Sequence, residues 1–339
     1  MNLGNSVLVL LAAVASFAVT ALLGKWMVPL LHRINFGQTI REEGPKWHKK
    51  KNGTPTMGGF LFIIGIFLAS AVCLPLYYSQ GGQDPYLRNQ SVTKAVGGLL
   101  MALGFGFVGF IDDYIKVVKK RNLGLNVRQK LVLQFLVAGA YLLCLYLSGV
   151  GTSTIFPFLG SVDLGVWFWI LSAVGIVAVV NAVNFTDGID GLNASVTFFA
   201  AVTFMVLSGI LHLYGMSIVA AAVAGGCLGF LLWNFNPAKV FMGDTGSLFL
   251  GGVVCALGFG TNLPVFILLI GIVYLCEILS VVLQVTYFKA THGKRIFKMT
   301  PIHHHFEMCG WSEVKICVVF SLVTILFGAL SVLALLYGF

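Results

Sequence analysis

The chain has 339 residues, of which 58% are hydrophobic and only 10% are charged, and its formal net charge is +9. Soluble domains carry about 25% charged residues, so this composition excludes an ordinary soluble protein and indicates a membrane protein. No polar stretch is long enough for a separate soluble domain, and we expect residues 1–339 to form a single polytopic membrane domain. The seven cysteines are scattered without a Cys-x-x-Cys pair, which favours small buried side chains over a disulfide framework or a zinc site.

Ten apolar runs follow one another along the sequence, and a membrane-spanning helix needs about 20 apolar residues. They are continuous instead of alternating, so they predict an all-α integral membrane protein with about ten transmembrane helices. The first run has no basic segment before it and no small-residue cleavage site, so we expect it to be a retained span. Residues 152–162 predict a short exterior hairpin. The runs lie at 5–31, 58–78, 95–115, 131–149, 166–184, 194–213, 216–234, 247–261, 264–288 and 314–338.

The basic residues give the orientation. All of the 21 Lys and Arg residues except Lys25, Arg88 and Lys94 lie in or beside the odd-numbered connections between the runs. The positive-inside rule then places these connections in the cytoplasm and both the N- and C-termini outside. The positive charge is therefore a topology signal, and we expect no nucleic-acid partner.

The acidic residues are only weakly governed by that rule, yet most of them share the cytoplasmic connections with the basic ones. Asp84 and Asp163 lie on the outer side, and Glu277 lies within a span. The crowding of the acidic residues among the cytoplasmic connections is therefore informative, and it indicates that the chemistry lies on that side of the membrane.

Asp112 and Asp113 follow the third run directly and precede a basic segment. We expect them at the C-terminus of a helix, where a negative charge opposes the helix dipole at a cost of about 0.3–1 kcal/mol. Adjacent helical residues point about 100° apart, so one acid could face a metal or a nucleophile and the other a lysine. The alternative is a solvated helix end that pairs with Lys116 or Lys119.

The second polar stretch, residues 181–193, closes the fifth run with two Asn and then two Asp, each pair spaced by three. Glycines between the acids allow turns and close approach to a ligand. Asn and Asp together suit the edge of a pyrimidine ring. The alternative is a turn that only caps two helices.

The third stretch is Gly243-Asp244-Thr245-Gly246-Ser247, which opens the eighth run. A helix N-terminus with glycines beside an acid suits a phosphate bound through backbone N–H groups. Asp244 could share Mg²⁺ with a diphosphate, since Mg²⁺ uses one or two protein carboxylates together with waters and substrate phosphates. An ordinary N-cap is the alternative.

Residues 301–307 contain three consecutive histidines after several basic residues. Zinc sites use spaced ligands, so contact with phosphate or proton transfer is the preferred interpretation, and a polar interfacial loop is the alternative. Glu277 within a span, with Gln284 two turns later, is a functional candidate or an interhelical hydrogen bond. The basic run Lys49-Lys50-Lys51 before a Thr-Pro-Thr turn could collect an anionic substrate or anchor its loop.

These features combine acids for Mg²⁺ with glycine turns and basic residues for phosphates on one side of the membrane. They are typical of phosphoryl transfer, in which positioning and charge neutralisation dominate. An enzyme built this way could join a soluble nucleotide substrate to a lipid phosphate in the bilayer.

These motifs resemble those of the bacterial phospho-N-acetylmuramoyl-pentapeptide transferases, and the resemblance extends over the whole chain. Residues 51–59 and the triple histidine are specific to this family, whereas the acid pair and the Asn-Asp-Gly stretch are shared with the wider polyprenyl-phosphate sugar-1-phosphate transferases. The resemblance implies transfer of phospho-N-acetylmuramoyl-pentapeptide from UDP-MurNAc-pentapeptide to undecaprenyl phosphate, giving lipid I and UMP with Mg²⁺. It also implies ten spans, a cytoplasmic active-site cleft, a homodimer in the lipid of the bacterial inner (plasma) membrane, and a role in peptidoglycan synthesis.

The resemblance also implies roles by position. Asp244 would be the Mg²⁺ ligand, Asp112 would lie near the lipid phosphate as a possible base with Asp113 beside it, and Phe241 would lie against uracil. The candidate catalytic residues are Asp112, Asp113, Asp244, His303 and His304. The candidate substrate-binding residues are Lys116, Lys130, Asn181, Asn184, Asp187, Asp190, Phe241 and Gln284.

Two mechanisms stay open, namely direct attack by the lipid phosphate on the β-phosphorus and a covalent Asp intermediate. Direct attack is preferred, because a phosphate with a second pKa of about 6 is already anionic and needs orientation more than activation. Two rival functions also stay open. One is the same chemistry on UDP-N-acetylglucosamine, and the other is a secondary transporter, although a transporter would carry its acids within the spans.

Overall fold

The computed structural model describes residues 4–33, 51, 53–80, 84–118, 124–157 and 159–337, and these are mostly helical. Ten of the described helices are long and apolar enough to cross a membrane, which confirms the predicted class. The helices are α1 (Asn5–Arg33), α2 (Gly59–Ser79), α3 (Pro85–Val118), α4 (Val127–Leu147), α5 (Trp167–Thr186), α6 (Leu192–Ile210), α7 (Tyr214–Asn234), α8 (Gly243–Gly260), α9 (Phe266–Ile270), α10 (Ile272–Ala290), α11 (Ile302–Met308) and α12 (Glu313–Tyr337).

Two helices depart from the predicted runs. Helix α3 begins at Pro85, ten residues before the predicted run at 95, because the polar residues between them continue the helix. The ninth run is divided at Gly271 into the single turn α9 and the span α10. The triple histidine forms part of the separate short helix α11.

The predicted hairpin is present, and its exterior position stays a prediction. Strands β1 (Ser153–Phe156) and β2 (Gly160–Asp163) pair antiparallel between α4 and α5, with Phe156 opposite Gly160. A two-stranded ribbon is marginal by itself, so its position between two spanning helices holds it in place.

Helices α3 and α8 pack closely along their length. A Cβ at Gly98 would meet Ala256, a Cβ at Gly252 would meet Ala102, and a Cβ at Gly109 would overlap the backbone at Asp244. Small residues at these crossings let two backbones approach, as in other membrane helix pairs. The close approach carries the acids of α3 directly against the first turn of α8.

Most of α7 and α8 is buried, so these two helices form the centre of the bundle. The buried apolar side chains of the described residues form one continuous cluster. The prediction that residues 1–339 form one domain stays a prediction.

Candidate active site

Three carboxylates meet where α3 crosses the start of α8. Ligand oxygens of Asp112, Asp113 and Asp244 all lie within 4.8 Å of one another. Asp112 and Asp113 are each only 3% exposed. The expected position of this pair at a helix C-terminus is wrong, because α3 continues to Val118 and places the pair within the helix. Both carboxylates are therefore held by a rigid backbone.

Asp113 caps the N-terminus of α8. Its Oδ1 accepts a hydrogen bond from the backbone N–H of Asp244 at 3.2 Å, and its Oδ2 accepts from the backbone N–H of Thr245 at 2.9 Å and from Thr245 Oγ1 at 2.8 Å. A negative charge at this end of a helix is favourable. Asp113 takes two of the backbone donors that the sequence pattern assigns to a phosphate, and a phosphate bound at this helix N-terminus stays a prediction.

Asp112 accepts different hydrogen bonds from its neighbour, although Lys116 Nζ also lies 3.9 Å from Asp113 Oδ1. Its Oδ2 lies 2.6 Å from Lys116 Nζ, one turn later on α3, and its Oδ1 accepts from the backbone N–H of Leu125 at 2.8 Å. Asp112 is the acid of the pair that lies closer to the lysine, and separate roles for the two acids stay a prediction. The carboxylate thus links α3 to the segment that precedes α4.

Asp244 is the electrostatic centre of the cluster. Its Oδ2 lies 3.0 Å from Lys116 Nζ and 2.9 Å from Lys130 Nζ, and its Oδ1 accepts from Asn184 Nδ2 at 2.9 Å. Asn184 also donates to Ser247 Oγ at 2.7 Å. Residues from α3, α4, α5 and α8 therefore converge on one carboxylate. Four of the predicted site residues are brought together here, and Ser247 joins them.

The carboxylates suit a divalent cation. In the part of the chain that the structure describes, these three form the one group of metal-ligating side chains placed closely enough to hold a metal. Carboxylates are among the ligands that Mg²⁺ prefers, and it also binds substrate phosphates. The two neighbouring lysines would attract such anionic phosphates to the site. The residues present thus fit a hard divalent ion.

Asn181 lies one turn deeper than Asn184 and pairs with a residue that sequence reasoning missed. Its Nδ2 donates to Gln134 Oε1 at 2.7 Å, and Gln134 Nε2 donates back to Asn181 Oδ1 at 3.3 Å. Gln134 is fully buried on α4. The reciprocal amide pair joins α4 to α5 just below Lys130, and no sequence motif marks Gln134.

The Asp-Gly loop, residues 187–191, connects α5 to α6. Its two acids do not share a helical face, because α5 ends at Thr186 and the loop turns before α6. Burial and the nearby carboxylates raise the pKa of Asp187 well above its ordinary value. Gly191 adopts φ 77°, a conformation that favours glycine, and its N–H donates to Asn234 Oδ1.

Asp190 is bonded on all sides by protein. Its Oδ1 lies 2.7 Å from Lys51 Nζ, and its Oδ2 accepts from Asn236 Nδ2 and from the backbone N–H of Ala238. Lys51 also pairs with Glu313 at the start of α12 at 2.7 Å. This network, which includes the unforeseen Glu313, fixes the Asp-Gly loop to three distant segments. A nucleoside contact by Asp190 stays a prediction.

The Thr-Pro-Thr turn packs against the approach to α8. The backbone N–H of Phe241 donates to the Pro55 carbonyl at 2.8 Å, and the Gly58 N–H donates to the Phe241 carbonyl at 2.8 Å. The Phe241 side chain stays half-buried. Lys49 and Lys50 of the predicted basic run lie outside the described residues.

The histidines of α11 are not equivalent. His303 is fully buried, with Nδ1 3.1 Å from Glu277 Oε2 on α10. His304 keeps 13% of its side chain exposed and has Nδ1 2.6 Å from Glu307 Oε2. Direct substrate contact by either ring stays a prediction, and in this conformation only His304 offers part of its surface.

Gln284 holds the connection between α10 and α11. Its Oε1 accepts from the backbone N–H groups of Ile296 and Phe297 at 3.0 Å, and its Nε2 donates to the Phe297 carbonyl at 3.3 Å. These bonds use both the oxygen and the nitrogen of the Gln284 side-chain amide. A nucleotide contact by Gln284 stays a prediction.

Comparisons with known proteins show which family this chain resembles. Residues 95–261, which include all three carboxylates, match the profile of glycosyl transferase family 4. Residues 51–63 match signature 1 of phospho-N-acetylmuramoyl-pentapeptide-transferase. Relatives named phospho-N-acetylmuramoyl-pentapeptide-transferase match nearly the whole chain. That of Desulforamulus reducens is 47% identical over 327 residues, or 95% of this chain and 94% of the relative. That of Halalkalibacterium halodurans is 45% identical over 325 residues, or 95% and 96%, respectively.

Proposed function

This chain belongs to the phospho-N-acetylmuramoyl-pentapeptide-transferase family, and we propose that it transfers phospho-N-acetylmuramoyl-pentapeptide from UDP-MurNAc-pentapeptide to undecaprenyl phosphate. The products are lipid I and UMP, which places the enzyme in peptidoglycan synthesis. The observation that carries this function is the meeting of three carboxylates and two lysines at the ends of spanning helices. A lipid phosphate and a soluble nucleotide can both reach such a position.

The chemistry follows from charge and orientation. An oxygen of the lipid phosphate forms a bond to the β-phosphorus of the UDP-sugar, and the bond from that phosphorus to the oxygen of the departing UMP breaks. Lys116 and Lys130 lie on either side of Asp244 Oδ2, where they would neutralise the phosphate groups. Holding two reactants in line lowers the barrier without further activation of the nucleophile.

The hydrogen bonds of the acids support direct attack over a covalent intermediate. Both oxygens of Asp113 accept from α8, and the oxygens of Asp112 accept from Leu125 and pair with Lys116. A carboxylate held this way on both oxygens is a weaker nucleophile than a free one. We assign Asp112 to the lipid phosphate and Asp113 to the support of Asp244.

Mg²⁺ is the proposed cofactor, with Asp244 as its ligand and the two acids of α3 beside it. When bound, the ion would neutralise negative charge on the transferring phosphoryl group. Asp244 suits this role because α8 presents it to the lysines and to Asn184, while Asp113 stays with the backbone.

The nucleoside pocket is assigned to the side of the cluster formed by α5, the Asp-Gly loop and Phe241. Asp187 and Phe241 are both half-buried and available to a ligand. Asn181, Asn184 and Asp190 shape its walls through their own hydrogen bonds. Contact with the phosphates or the sugar is assigned to His304 on α11. Gln284 supports this part of the site, because it bonds the connection that leads to α11.

Ten spanning helices make this a multi-pass membrane protein. We assign it to the bacterial inner membrane, with the acidic cluster on the cytoplasmic side where the basic connections predict it. A homodimer is the expected assembly. Its test is the mass of the detergent-solubilised protein by light scattering, and a monomeric mass would remove that assignment.

One assay separates the candidate functions. Purified protein in detergent is given undecaprenyl phosphate, Mg²⁺ and either UDP-MurNAc-pentapeptide or UDP-N-acetylglucosamine, and UMP release is measured. Turnover with the first substrate alone is expected. Turnover with only the second would reassign the sugar. If neither substrate is turned over, the protein is reconstituted in liposomes. Uptake of nucleotide sugar by these liposomes would then favour the secondary transporter.

A further inference from the structure

A buried pair joins α10 to α11 outside the carboxylate cluster. Glu277 and His303 are both fully inaccessible to solvent, and Glu277 Oε2 lies 3.1 Å from His303 Nδ1. The same oxygen lies 3.5 Å from the backbone nitrogen of His303. Burying a polar side chain within a membrane protein costs free energy unless its partners compensate. A pair retained at this cost points to a specific requirement.

The pair is incompletely satisfied. Among the described residues, Glu277 Oε1 and His303 Nε2 have no hydrogen-bond partner. An unsatisfied buried polar group costs free energy, so each such atom needs an explanation. A core that served only stability would be better built from apolar side chains.

The unpaired edge of the ring faces the Asp-Gly loop. A Cβ added to Gly188 would overlap His303 Nε2 and lie 2.6 Å from Cε1. The ring therefore rests against the backbone of the loop. It occupies space that is free because residue 188 is a glycine and has no side chain. The His303 ring also lies 4.1 Å from the His304 ring, centroid to centroid. One buried imidazole thus touches two parts of the predicted substrate site.

We propose that Glu277 is a positioning residue that sets the substrate site through His303. By accepting a hydrogen bond from Nδ1–H, Glu277 fixes the tautomer and the plane of the ring. The fixed ring then holds the Asp-Gly loop at Gly188 and orients the exposed His304. This inference rests on the proposed function, because it assumes that the loop lines the nucleoside pocket.

The alternative is a purely structural pair, and kinetics separate the two. Loss of structure lowers the active fraction of enzyme and leaves the KM of the remainder unchanged. A displaced Asp-Gly loop raises the KM for the UDP-sugar and leaves that for undecaprenyl phosphate unchanged. The amide of Gln can still accept from Nδ1–H, whereas Leu of similar size cannot.

The experiment compares Glu277→Leu, Glu277→Gln and the control Ser280→Ala. Ser280 is buried one turn later on α10 and donates to the Glu277 carbonyl, so the control alters the same helix without touching His303. A hydrogen bond to a charged group contributes about 1.5–3 kcal/mol, so Glu277→Leu should raise the KM for UDP-MurNAc-pentapeptide about 10–100-fold. Glu277→Gln and Ser280→Ala should stay within a factor of about three.

A second readout does not depend on turnover. Hydrogen–deuterium exchange of peptides that cover the Asp-Gly loop should accelerate in Glu277→Leu and stay at the wild-type rate in Glu277→Gln. Unchanged exchange and unchanged KM in Glu277→Leu would overturn the inference, as would equal damage in the Gln and Leu variants. If the wild-type protein released no UMP, the proposed function would fail instead, and the exchange experiment would still decide whether Glu277 holds the loop.

Discussion

Asp113→Asn tests whether this acid supports α8 in addition to its place in the carboxylate cluster. The substitution conserves shape but leaves one acceptor oxygen where the carboxylate has two. Thr245 N–H and Thr245 Oγ1 share Oδ2, whereas the Asp244 N–H uses Oδ1. An Asn that keeps the two bonds from Thr245 must turn its NH₂ group toward the Asp244 N–H, where two donors face each other.

The magnitude follows from these contacts. One hydrogen bond to a charged acceptor is lost, worth about 1.5–3 kcal/mol. The negative charge at the N-terminus of α8 is lost as well, worth about 0.3–1 kcal/mol. The combined destabilisation is about 2–4 kcal/mol, before the relief of repulsion from the neighbouring carboxylates reduces it. A chain of this size has an unfolding entropy of about 0.7 kcal/mol/K, so we expect the Tm to fall by about 3–6 °C.

The assay is thermal unfolding in detergent at one fixed scan rate, together with UMP release. Asp113→Asn should fold, unfold at lower temperature and lose turnover because Asp244 is displaced. Thr245→Val is the matched control, because it removes the Oγ1 bond and keeps both backbone bonds, so its Tm should fall between those of Asp113→Asn and the wild type. A wild-type Tm in Asp113→Asn would refute the capping role, and a normal kcat would remove Asp113 from the site.

The other predictions concern the metal, the loop and the far end of α8. Chelation of divalent cations should abolish UMP release and Mg²⁺ should restore it, while Asp244→Asn should lose turnover at any Mg²⁺ concentration; activity in chelator would refute the cofactor. Asp112→Asn should lose turnover while the protein folds, and near-normal kcat would remove this residue. Gly188→Ala should lower the Tm because its methyl group overlaps His303, and adding His303→Ala should recover part of that loss; no recovery would show that the two do not touch. Lys94→Met should lower the Tm by removing the 2.8 Å bond to Asn262 and leave both KM values unchanged, whereas a raised KM would show that the two ends of α8 are coupled.

The spanning helices are the part of the fold that sequence predicts well. Apolar length determines a membrane helix almost independently of its neighbours, so all ten predicted runs contain a span. The errors in the helix boundaries occur where the polarity of the residues does not match their secondary structure. Arg88 and Lys94 make residues 85–94 resemble a loop, yet these residues extend α3. Gly271 divides a run that is apolar on both sides, so hydropathy shows no break there.

The sequence predicts which residue types form the site, but it does not predict which of them form hydrogen bonds with one another. Acids and amides are conspicuous in an apolar chain, and the comparisons confirm the family that these motifs resemble. Their partners, however, come from helices that are distant in sequence. Nothing near Asp113 indicates that it caps α8, and nothing near Asp190 indicates Glu313. Gln134 lies outside any motif, and only the packing of α4 against α5 reveals its bond to Asn181.

The packing of α3 against α8 explains how so many charges are tolerated in one place. Helix α3 presents the carboxylate of Asp113 to the N-terminus of α8 and the ammonium group of Lys94 to Asn262, just beyond the α8 C-terminus. Each charge therefore meets the end of the α8 dipole that favours it. With every group ionised, the three carboxylates and the two lysines at the cluster leave one negative charge, which would repel an anionic substrate. One bound divalent cation reverses that sign, so this arrangement of charges itself favours a metal-dependent enzyme for phosphate substrates.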